Sequence, residues 1–355
     1  MNKKIALILF FLLNFAYISA ETSNENKLLP PEKNTQEKVI LNVKFMKQGD
    51  MGCSRTSFAM VMHYYNPAIT LEMAERDAPK APDGGSQNNF MALLAVQYGF
   101  KTHAFPGTIG GLIQLLKSGK PVVVAQYPSL SDKKSNHDRV VIGYDQDKGI
   151  LWVHDPSVGE NIPYPYEKFK SLWESNVGLD DKYYSVLITP ADTRAEEARN
   201  ISIDGMEDDW EGMESFSPDR ADDTNKGDLH LNIKDIYCFK DNSFLYLKTD
   251  FLKSPKTDPD IIYFFDFFYI ENGISRLKQF NFRLKQDPWA QLDGKTYEPL
   301  TNIEWNLGKV FEARIGLENL KSLPDIVSIR AGTYDFRRKK FIDVSYPNAF
   351  RIRIQ

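Results

Sequence analysis

The stretch that decides the fold of the first half of the chain is Gln48-Gly-Asp-Met-Gly-Cys53-Ser-Arg-Thr-Ser-Phe-Ala-Met-Val-Met-His-Tyr-Tyr65. The two glycines before the cysteine indicate a loop, and the apolar residues after it recur at the spacing of one helical face. Asn66-Pro67 ends this predicted helix, because a residue before proline avoids the helical conformation. We therefore predict a loop that runs into a helix, with Cys53 at or just before the helix N-terminus.

This position favours the thiolate form of Cys53 more than the position of most cysteines does. Unpaired N–H groups and the positive end of the helix dipole stabilise an anion there, and a thiolate is the reactive form of cysteine. Gln48 lies five positions upstream, across a loop that could aim its amide beside the sulfur. A side-chain amide and a backbone N–H that converge in this way form an oxyanion hole. The alternative is a buried, inert cysteine in a helix that merely packs.

Length and composition limit the class of protein. A chain of 355 residues predicts two domains, and a hydrophobic content of 42% with 26% charged residues is typical of globular proteins. The net charge of -4 suggests no nucleic-acid partner. Cys53 and Cys238 are the two cysteines, too few and too far apart in sequence for a disulfide framework.

The N-terminus has the layout of a secretory signal peptide. Lys3-Lys4 precede an apolar run from Ile5 to Phe15, and a small residue, Ala20, follows at a suitable cleavage position. We predict a signal peptide at residues 1–20 and a disordered lead-in at 21–38, which is polar and contains Pro30-Pro31. The mature protein is then exported, periplasmic or extracellular, with no membrane association after cleavage; a retained membrane anchor is the alternative.

Residues 39–190 read as an α+β domain, with helices first and a mostly antiparallel sheet after them. Apolar periodicity, caps and glycines predict the elements. The predicted helices after the first are Ile69–Arg76, Asn88 or Asn89 to Tyr98, Thr108–Lys117 and Tyr166–Ser175. The predicted strands are Val39–Met46, Phe100–Phe105, Pro121–Gln126, Arg139–Tyr144, Ile150–His154 and Tyr183–Ile188.

The composition changes after a predicted linker at residues 191–200. Helical periodicity nearly disappears, and strand-like runs rich in β-branched and aromatic residues follow one another. We predict an all-β sandwich over residues 201–355, in which Asn272-Gly273 joins two strands of a hairpin. The predicted strands are Leu229–Ile233, Phe244–Thr249, Ile261–Ile270, Ser275–Arg283, Val310–Ile315 and Ile326–Tyr334.

A hairpin in the first domain supplies partners for the cysteine. His137 precedes one strand and Asp155 follows the next, and antiparallel pairing across the turn Asp145–Gly149 brings these two ends to the same edge. The carboxylate can then fix the imidazole tautomer while the other ring nitrogen faces the thiol. The result is a papain-type arrangement of Cys53, His137 and Asp155. A solvated loop histidine and an ordinary Asp-Pro turn are the alternatives.

With these residues in view, residues 41–190 resemble the papain-like cysteine peptidases related to double-glycine leader peptidases, the C39-like family. The motifs that carry the resemblance are Gln48 with Cys53, Met60-Val-Met-His-Tyr-Tyr65, Gly119-Lys-Pro-Val-Val-Val124, His137 with Val140-Val-Ile-Gly-Tyr-Asp145, and His154-Asp155-Pro156 with Gly159. The family usually has glycine after the nucleophile and apolar residues after the histidine. This chain has Ser54 and Asp138-Arg139 there, and Asp138 could compete for His137.

The resemblance implies an exported cysteine peptidase that hydrolyses peptide bonds in a peptide or protein substrate, without a metal or another cofactor. By position, Cys53 is the nucleophile, His137 the general base, Asp155 its orienter and Gln48 the oxyanion-hole residue. We expect His63, His103 and His154 to be structural, and Cys238 to be buried and inert.

The second domain resembles, more weakly, β-sandwich domains similar to family-nine carbohydrate-binding modules. The matching segments are Ile201–Trp210, Gly227-Asp228, Asp235-Ile236, Phe244–Leu247 and Glu312–Ile315. This suggests an alternative function, a secreted binding protein with a silent papain-like domain, whose β-sandwich recognises carbohydrate or protein. The tryptophans at 210, 289 and 305 could stack on sugars, but we expect core packing for at least two. The aspartates between Asp219 and Asp228 could bind calcium or form a solvated loop.

Overall fold

The computed structural model describes residues 38–78, 88–175, 182–191, 199–218, 229–272, 274–345 and 348–352. Lys38–Gln355 form one compact unit. The predicted signal peptide, the lead-in up to residue 37 and most of the predicted linker lie outside the described residues, so the domain boundaries stay predictions. None of the helices in the described ranges is long and apolar enough to cross a membrane.

Five helices surround the first sheet within the described ranges. Thr70 and Thr108 cap two of them through their hydroxyl groups, which accept hydrogen bonds from Met73 N at 3.2 Å and Gly111 N at 3.0 Å. Gly99, with φ of +84°, follows the end of a third, where few residues other than glycine are comfortable. The helices are α1 Cys53–Tyr65, α2 Leu71–Asp77, α3 Asn88–Gln97, α4 Ile109–Lys117 and α5 Tyr166–Trp173. The helices predicted from the sequence are confirmed, with bounds shifted by one to two residues.

The first sheet is antiparallel at every described pair of neighbours. Its strands are β1 Lys38–Ile40, β2 Phe100–Pro106, β3 Val122–Gln126, β4 His137–Asp145, β5 Ile150–Asp155, β6 Gly159–Pro165 and β7 Tyr184–Pro190. They follow the order β2-β7-β3-β4-β5-β6, and β1 pairs with β4. The α+β architecture predicted for this part is therefore observed.

Two details of this sheet differ from the sequence prediction. The strand predicted at Val39–Met46 is too long, since β1 ends at Ile40 and the Val43 carbonyl contacts the His154 side chain, at 2.9 Å from Nε2. The strand β6 was not predicted, because two prolines within Gly159–Pro165 weaken the strand signal.

The core explains why the central strands are apolar on both faces. On β3 and β4, Val123 and Val140 pack with α1 and α3 on one face, whereas Val124 and Val141 pack with α4 and α5 on the other. A sheet covered on both sides produces continuous apolar runs rather than alternation. This packing holds α1 against the face of β4, close to where β4 begins.

The C-terminal region contains two further antiparallel sheets. The strands are β8 Ser217–Pro218, β9 Ile233–Lys240, β10 Phe244–Phe251, β11 Ile261–Glu271, β12 Ile274–Arg283, β13 Trp289–Leu292, β14 Thr296–Pro299, β15 Ile303–Leu307, β16 Phe311–Gly316, β17 Ile326–Asp335, β18 Lys340–Val344 and β19 Asn348–Arg351. One sheet has the order β15-β16-β10-β9-β8, and the other has β14-β13-β12-β11-β17-β18 with β19 paired to β17.

Both sheets contribute to one hydrophobic core, as Leu247 of β10 and Phe265 of β11 illustrate. The sheet-rich region is thus confirmed, whereas the sandwich arrangement stays a prediction. The predicted hairpin is also confirmed, since Ile270 pairs with Ser275. The strand predicted at Leu229–Ile233 is wrong, because the ladder with β10 begins only at Ile233 and continues to Lys240.

Side chains near the C-terminus hold the two sheet regions together. Asn348 is fully buried; its Oδ1 accepts from Ala104 N at 2.8 Å and its Nδ2 donates to the Phe216 carbonyl at 3.0 Å. Arg351 Nη2 donates to the Val96 carbonyl at 3.0 Å. Since Ala104 lies on β2, at the end of the strand order of the first sheet, the C-terminal region covers part of an edge that would otherwise be exposed.

Candidate active site

Cys53 is the first residue of α1, as predicted from the glycines and the apolar periodicity. Gly52 precedes it in a tight loop, where an added Cβ would lie 3.2 Å from the Gly49 carbonyl oxygen. The first turn of α1 carries no acidic residue, and the thiol is partly exposed. Cys53 therefore combines access for a substrate with the positive end of a helix.

The loop before α1 positions Gln48 beside the turn that follows β5. The Gln48 N–H donates to the Pro156 carbonyl at 3.0 Å, which fixes the loop next to Asp155. The Gln48 side-chain oxygen is buried and has no hydrogen-bond partner among the described residues. The side-chain oxygen of Gln48 is thus not engaged in holding the fold.

The structure brings His137 and Asp155 together at one edge of the first sheet. His137 is the first residue of β4 and Asp155 the last of β5, and their Nε2 and Oδ1 atoms lie 2.7 Å apart. The Cys53 thiol is near enough to the His137 ring to raise the pKa of the imidazole. The ring therefore connects the start of α1 with the end of β5.

The charges of His137 and Asp155 stabilise each other. Burial lowers the pKa of His137, but hydrogen bonds with Asp155 and Cys53 outweigh burial, and the pKa rises from 6.5 to about 9. Burial raises the pKa of Asp155, but the hydrogen bond and charge of His137, followed by the charge of Arg139, hold it below its ordinary value. The site favours an imidazolium beside a carboxylate at neutral pH.

Backbone and hydroxyl donors complete the surroundings of Asp155. Its Oδ1 accepts hydrogen bonds from Ser157 N at 2.9 Å, Ser157 Oγ at 2.8 Å and Val158 N at 3.2 Å. Its Oδ2 accepts from Arg139 Nε at 2.7 Å. The carboxylate is fully buried, and these contacts replace the water that it loses.

The two departures from the family pattern, Ser54 and Asp138, contact each other. Asp138 accepts a hydrogen bond from the Ser54 hydroxyl, and its backbone carbonyl accepts one from Ser57 Oγ at 3.1 Å. His137 pairs with Asp155, while Asp138 faces α1, so competition between the two carboxylates is not what the structure shows. The sequence assigned no role to Arg139 or Ser157. An arginine in an otherwise apolar strand was the signal that could have identified Arg139.

The remaining histidines and the second cysteine lie apart from these contacts. His63 Nδ1 lies 2.7 Å from the Ile69 carbonyl, and His154 contacts the Val43 carbonyl and accepts from Asn161 N at 3.1 Å. Cys238 is buried at 7% exposure. These placements agree with the structural roles expected for His63, His154 and Cys238.

The tryptophans of the C-terminal region serve its core. Trp210 is buried and donates from Nε1 to Glu312 Oε1 at 2.6 Å, which joins two segments of the carbohydrate-module-like pattern. Trp289 is also buried, so at least two of the three pack in the core as expected. The Asp219–Asp228 loop lies outside the described residues. Within the described ranges, no group of three or more His, Cys, Asp or Glu side chains is placed to hold a metal ion.

Comparison with known proteins bears on the first region. Residues 40–180 match the model of the Peptidase_C39 like family. Two solved structures are similar. One is a double glycine motif protease from an AMS/PCAT transporter in complex with the leader peptide, with 19% identity and a TM-score of 0.32, covering 44% of this chain and 100% of that chain. The other is the peptidase domain of Streptococcus ComA, a bifunctional ABC transporter involved in quorum sensing. It has 20% identity and a TM-score of 0.34, and the match covers 42% of this chain and 98% of that chain.

A search of curated proteins found no match to the chain. The comparisons leave the C-terminal sheets unassigned. The resemblance expected for the first domain is nevertheless confirmed, because the model of the Peptidase_C39 like family matches residues 40–180.

Proposed function

We propose that this protein is an exported cysteine peptidase that hydrolyses peptide bonds in a peptide or protein substrate. Cys53 is the nucleophile, His137 the general base and acid, Asp155 the orienter and Gln48 a donor to the oxyanion. The observation that carries the proposal is the 2.7 Å contact between His137 and Asp155, in a site where the Cys53 thiol at the start of a helix helps to raise the pKa of His137.

The first half of the reaction forms an acyl-enzyme. The Cys53 thiolate attacks the peptide carbonyl carbon, and a C–S bond forms as the carbonyl oxygen becomes negative. The Gln48 side-chain amide and the Cys53 N–H donate to that oxygen. The C–N bond then breaks, and the His137 imidazolium gives its proton to the leaving amine.

The second half returns the enzyme to its starting state. The neutral imidazole of His137 takes a proton from water, and the resulting hydroxide attacks the thioester carbonyl. The C–S bond breaks, the carboxylic acid product leaves, and Cys53 departs as a thiolate beside the imidazolium. Asp155 accepts a hydrogen bond from Nε2 throughout, which leaves Nδ1 for the thiol and the substrate.

Export is proposed from residues 1–20, which have the layout of a signal peptide. A periplasmic or extracellular location follows from it. Expression with the native N-terminus, followed by intact-mass analysis of the exported protein, tests this proposal. A mature chain that begins at Glu21 supports it, and a chain retained in the cytoplasm with Met1 present contradicts it.

The decisive test of the chemistry is the rate of iodoacetamide alkylation against pH, measured on residues 21–355 with Cys238→Ser. We expect an inflection well below about 8.5, the ordinary cysteine value, and its loss in His137→Ala. His63→Ala is the matched control, because His63 lies on α1 with Cys53 but contacts the Ile69 carbonyl. An inflection at the ordinary value in the folded protein would favour the alternative, a binding protein with a silent papain-like domain.

A further inference from the structure

A buried guanidinium lies directly against the carboxylate that orients His137. Arg139 is 2% exposed, and its Nε donates to Asp155 Oδ2 at 2.7 Å. The opposite oxygen, Oδ1, contacts His137. The Asp155 carboxylate therefore lies between two cationic side chains, and each of its oxygens contacts one of them. Arginine stays charged at every physiological pH, so its side of this arrangement does not titrate.

The other donors of Arg139 are used to hold it in place. Nη1 donates to Gln126 Oε1 and to the Tyr127 carbonyl, both at 3.1 Å, and Nη2 donates to the Pro128 carbonyl at 2.8 Å. Gln126 is itself anchored, since its Nε2 donates to the Phe169 carbonyl at 3.1 Å. The guanidinium is thus fixed between β3, the segment after it and Asp155. A side chain so thoroughly bonded presents its charge in one orientation.

On the basis of the proposed function, we propose that Arg139 is a positioning residue of the peptidase reaction. It acts through Asp155 and keeps that carboxylate ionised after His137 has lost its proton. Its positive charge also makes the His137 imidazolium a better proton donor and so sets the upper pH limit of the thiolate–imidazolium pair.

The chemistry follows from the charges of the site. When the imidazolium protonates the leaving amine, Asp155 loses a charged partner in a buried place, and burial then favours protonation of the carboxylate. Arg139 remains as a counter-charge at that moment. Conversely, the positive charges of Arg139 and of the His137 imidazolium repel each other. The charge of Arg139 therefore lowers the pKa of His137, although the other contacts of the ring raise that pKa overall. Removal of the guanidinium therefore stabilises the imidazolium to higher pH.

Other titratable groups surround this arrangement and stay constant in the test. Tyr164 lies on β6 with its ring centroid 5.8 Å from Arg139 Cζ, and Lys168 of α5 lies 5.2 Å from the same ring. The groups that face the site from the packed elements are Cys53 of α1, His137 and Asp138 of β4, Asp155 of β5, Tyr164 of β6, Lys168 of α5, and Tyr127 with Lys133 in the segment before β4.

The experiment is the alkylation of Cys53 by iodoacetamide from pH 4 to pH 10, in full-length mature protein with Cys238→Ser. The profile of a thiolate–imidazolium pair has a lower inflection and an upper one, and the upper one reports loss of the histidine proton. In Arg139→Leu and in Arg139→Gln, which are neutral, we expect the upper inflection to move up by about one pH unit. In Arg139→Lys, which keeps the charge, we expect it to stay in place.

The matched control is Arg330→Leu. Arg330 Nε donates to the buried Asp266 Oδ2 at 2.8 Å in the C-terminal region, so this change also removes a guanidinium from a buried carboxylate. It should lower the melting temperature and leave the profile unmoved. Circular dichroism of every variant shows which are folded. If neither neutral variant folds, Arg139→Lys decides: an unmoved inflection supports the proposal, and a displaced one overturns it.

The outcomes separate this inference from the proposed function. If the parent protein lacks the lower inflection, the proposed function fails. If the parent has both inflections, but the neutral variants fold and keep the upper one or move it down, Arg139 supports the fold alone and the inference is overturned. A matching upward shift in the pH limit of peptide hydrolysis would extend the result to turnover.

Discussion

The Ser54 hydroxyl donates a hydrogen bond to the Asp138 carboxylate. Ser54 follows Cys53 in the chain and Asp138 follows His137, so this contact joins the residues next to the proposed nucleophile and base. Both are buried, at 4% and 3% exposure. The two positions that depart from the family pattern on either side of the site are therefore in contact with each other, and α1 is tied to β4 where the thiol must meet the imidazole.

The first prediction concerns the energy of this contact. We expect Ser54→Ala and Asp138→Asn each to destabilise the protein, and the double variant to be less destabilised than their sum by about 1–2 kcal/mol, because a hydrogen bond to a charged group is lost only once. Urea denaturation of the four proteins measures this coupling. Ser171→Ala is the control, since the Ser171 hydroxyl donates to the exposed Glu167 carbonyl. Strict additivity would show that the contact contributes nothing.

The second prediction tests Gln48 separately from the thiol. Gln48→Ala should lower kcat for peptide hydrolysis roughly a hundredfold, about 3 kcal/mol of transition-state stabilisation, because one oxyanion donor is lost. The alkylation profile of Cys53 should be unchanged, since alkylation forms no oxyanion. Gln146→Ala, in the exposed turn between β4 and β5, is the control for loss of an amide. Unchanged turnover in Gln48→Ala would remove Gln48 from the mechanism.

The third prediction is a pH dependence of stability. The pKa of His137 is raised from 6.5 to about 9 in the folded protein. Its contribution to stability is fully present below pH 6.5 and is lost as the pH rises through about 9, a fall of about 3 kcal/mol. Asp155, whose pKa is lowered, contributes above its ordinary value and loses this contribution in acid.

Urea denaturation between pH 6 and pH 10 measures this dependence. His137→Gln should flatten the fall relative to the parent protein, whereas His63→Gln should preserve it. If His137→Gln and the parent protein lose stability in parallel across this range, His137 is not charged in the folded protein.

The meeting of His137 with Asp155 could be predicted because it depends on local rules. A turn of polar residues at Asp145–Gly149 sets an antiparallel hairpin, and a hairpin brings its two open ends to one edge. The start of α1 at Cys53 followed equally from glycines and helical periodicity. These features require only neighbouring segments of the chain.

The contacts of Arg139 could not be predicted in the same way, because they join side-chain and backbone groups from three segments at once. Gln126 and Pro128 lie on the other side of a loop, and Asp155 lies on the next strand. Strand β6 was missed because its prolines oppose the local signal, although its pairing with β5 outweighs them. Tertiary contacts of this kind override sequence propensity wherever the partner is far away.

The last prediction measures the ion pair between Arg139 and Asp155 as a contribution to folding. Asp155→Ala should destabilise the protein by about 3–5 kcal/mol, because it leaves a buried guanidinium without its carboxylate. Arg139→Met should also destabilise it. The double variant should be less destabilised than the sum of the two single variants by about 3 kcal/mol, since the second change no longer leaves a buried charge without its partner.

The control for this coupling is Arg139→Met combined with Asp266→Ala, which lies in a different sheet and shares no partner with Arg139 among the described contacts. These two changes should add to within about 0.5 kcal/mol. If the free-energy changes of Arg139→Met and Asp155→Ala add as closely as those of the control, the 2.7 Å contact contributes no coupling energy. The charge of Arg139 would then not be expected to affect His137 through Asp155. A strong coupling, together with a displaced alkylation profile, would mean that the same guanidinium stabilises the fold and tunes the histidine.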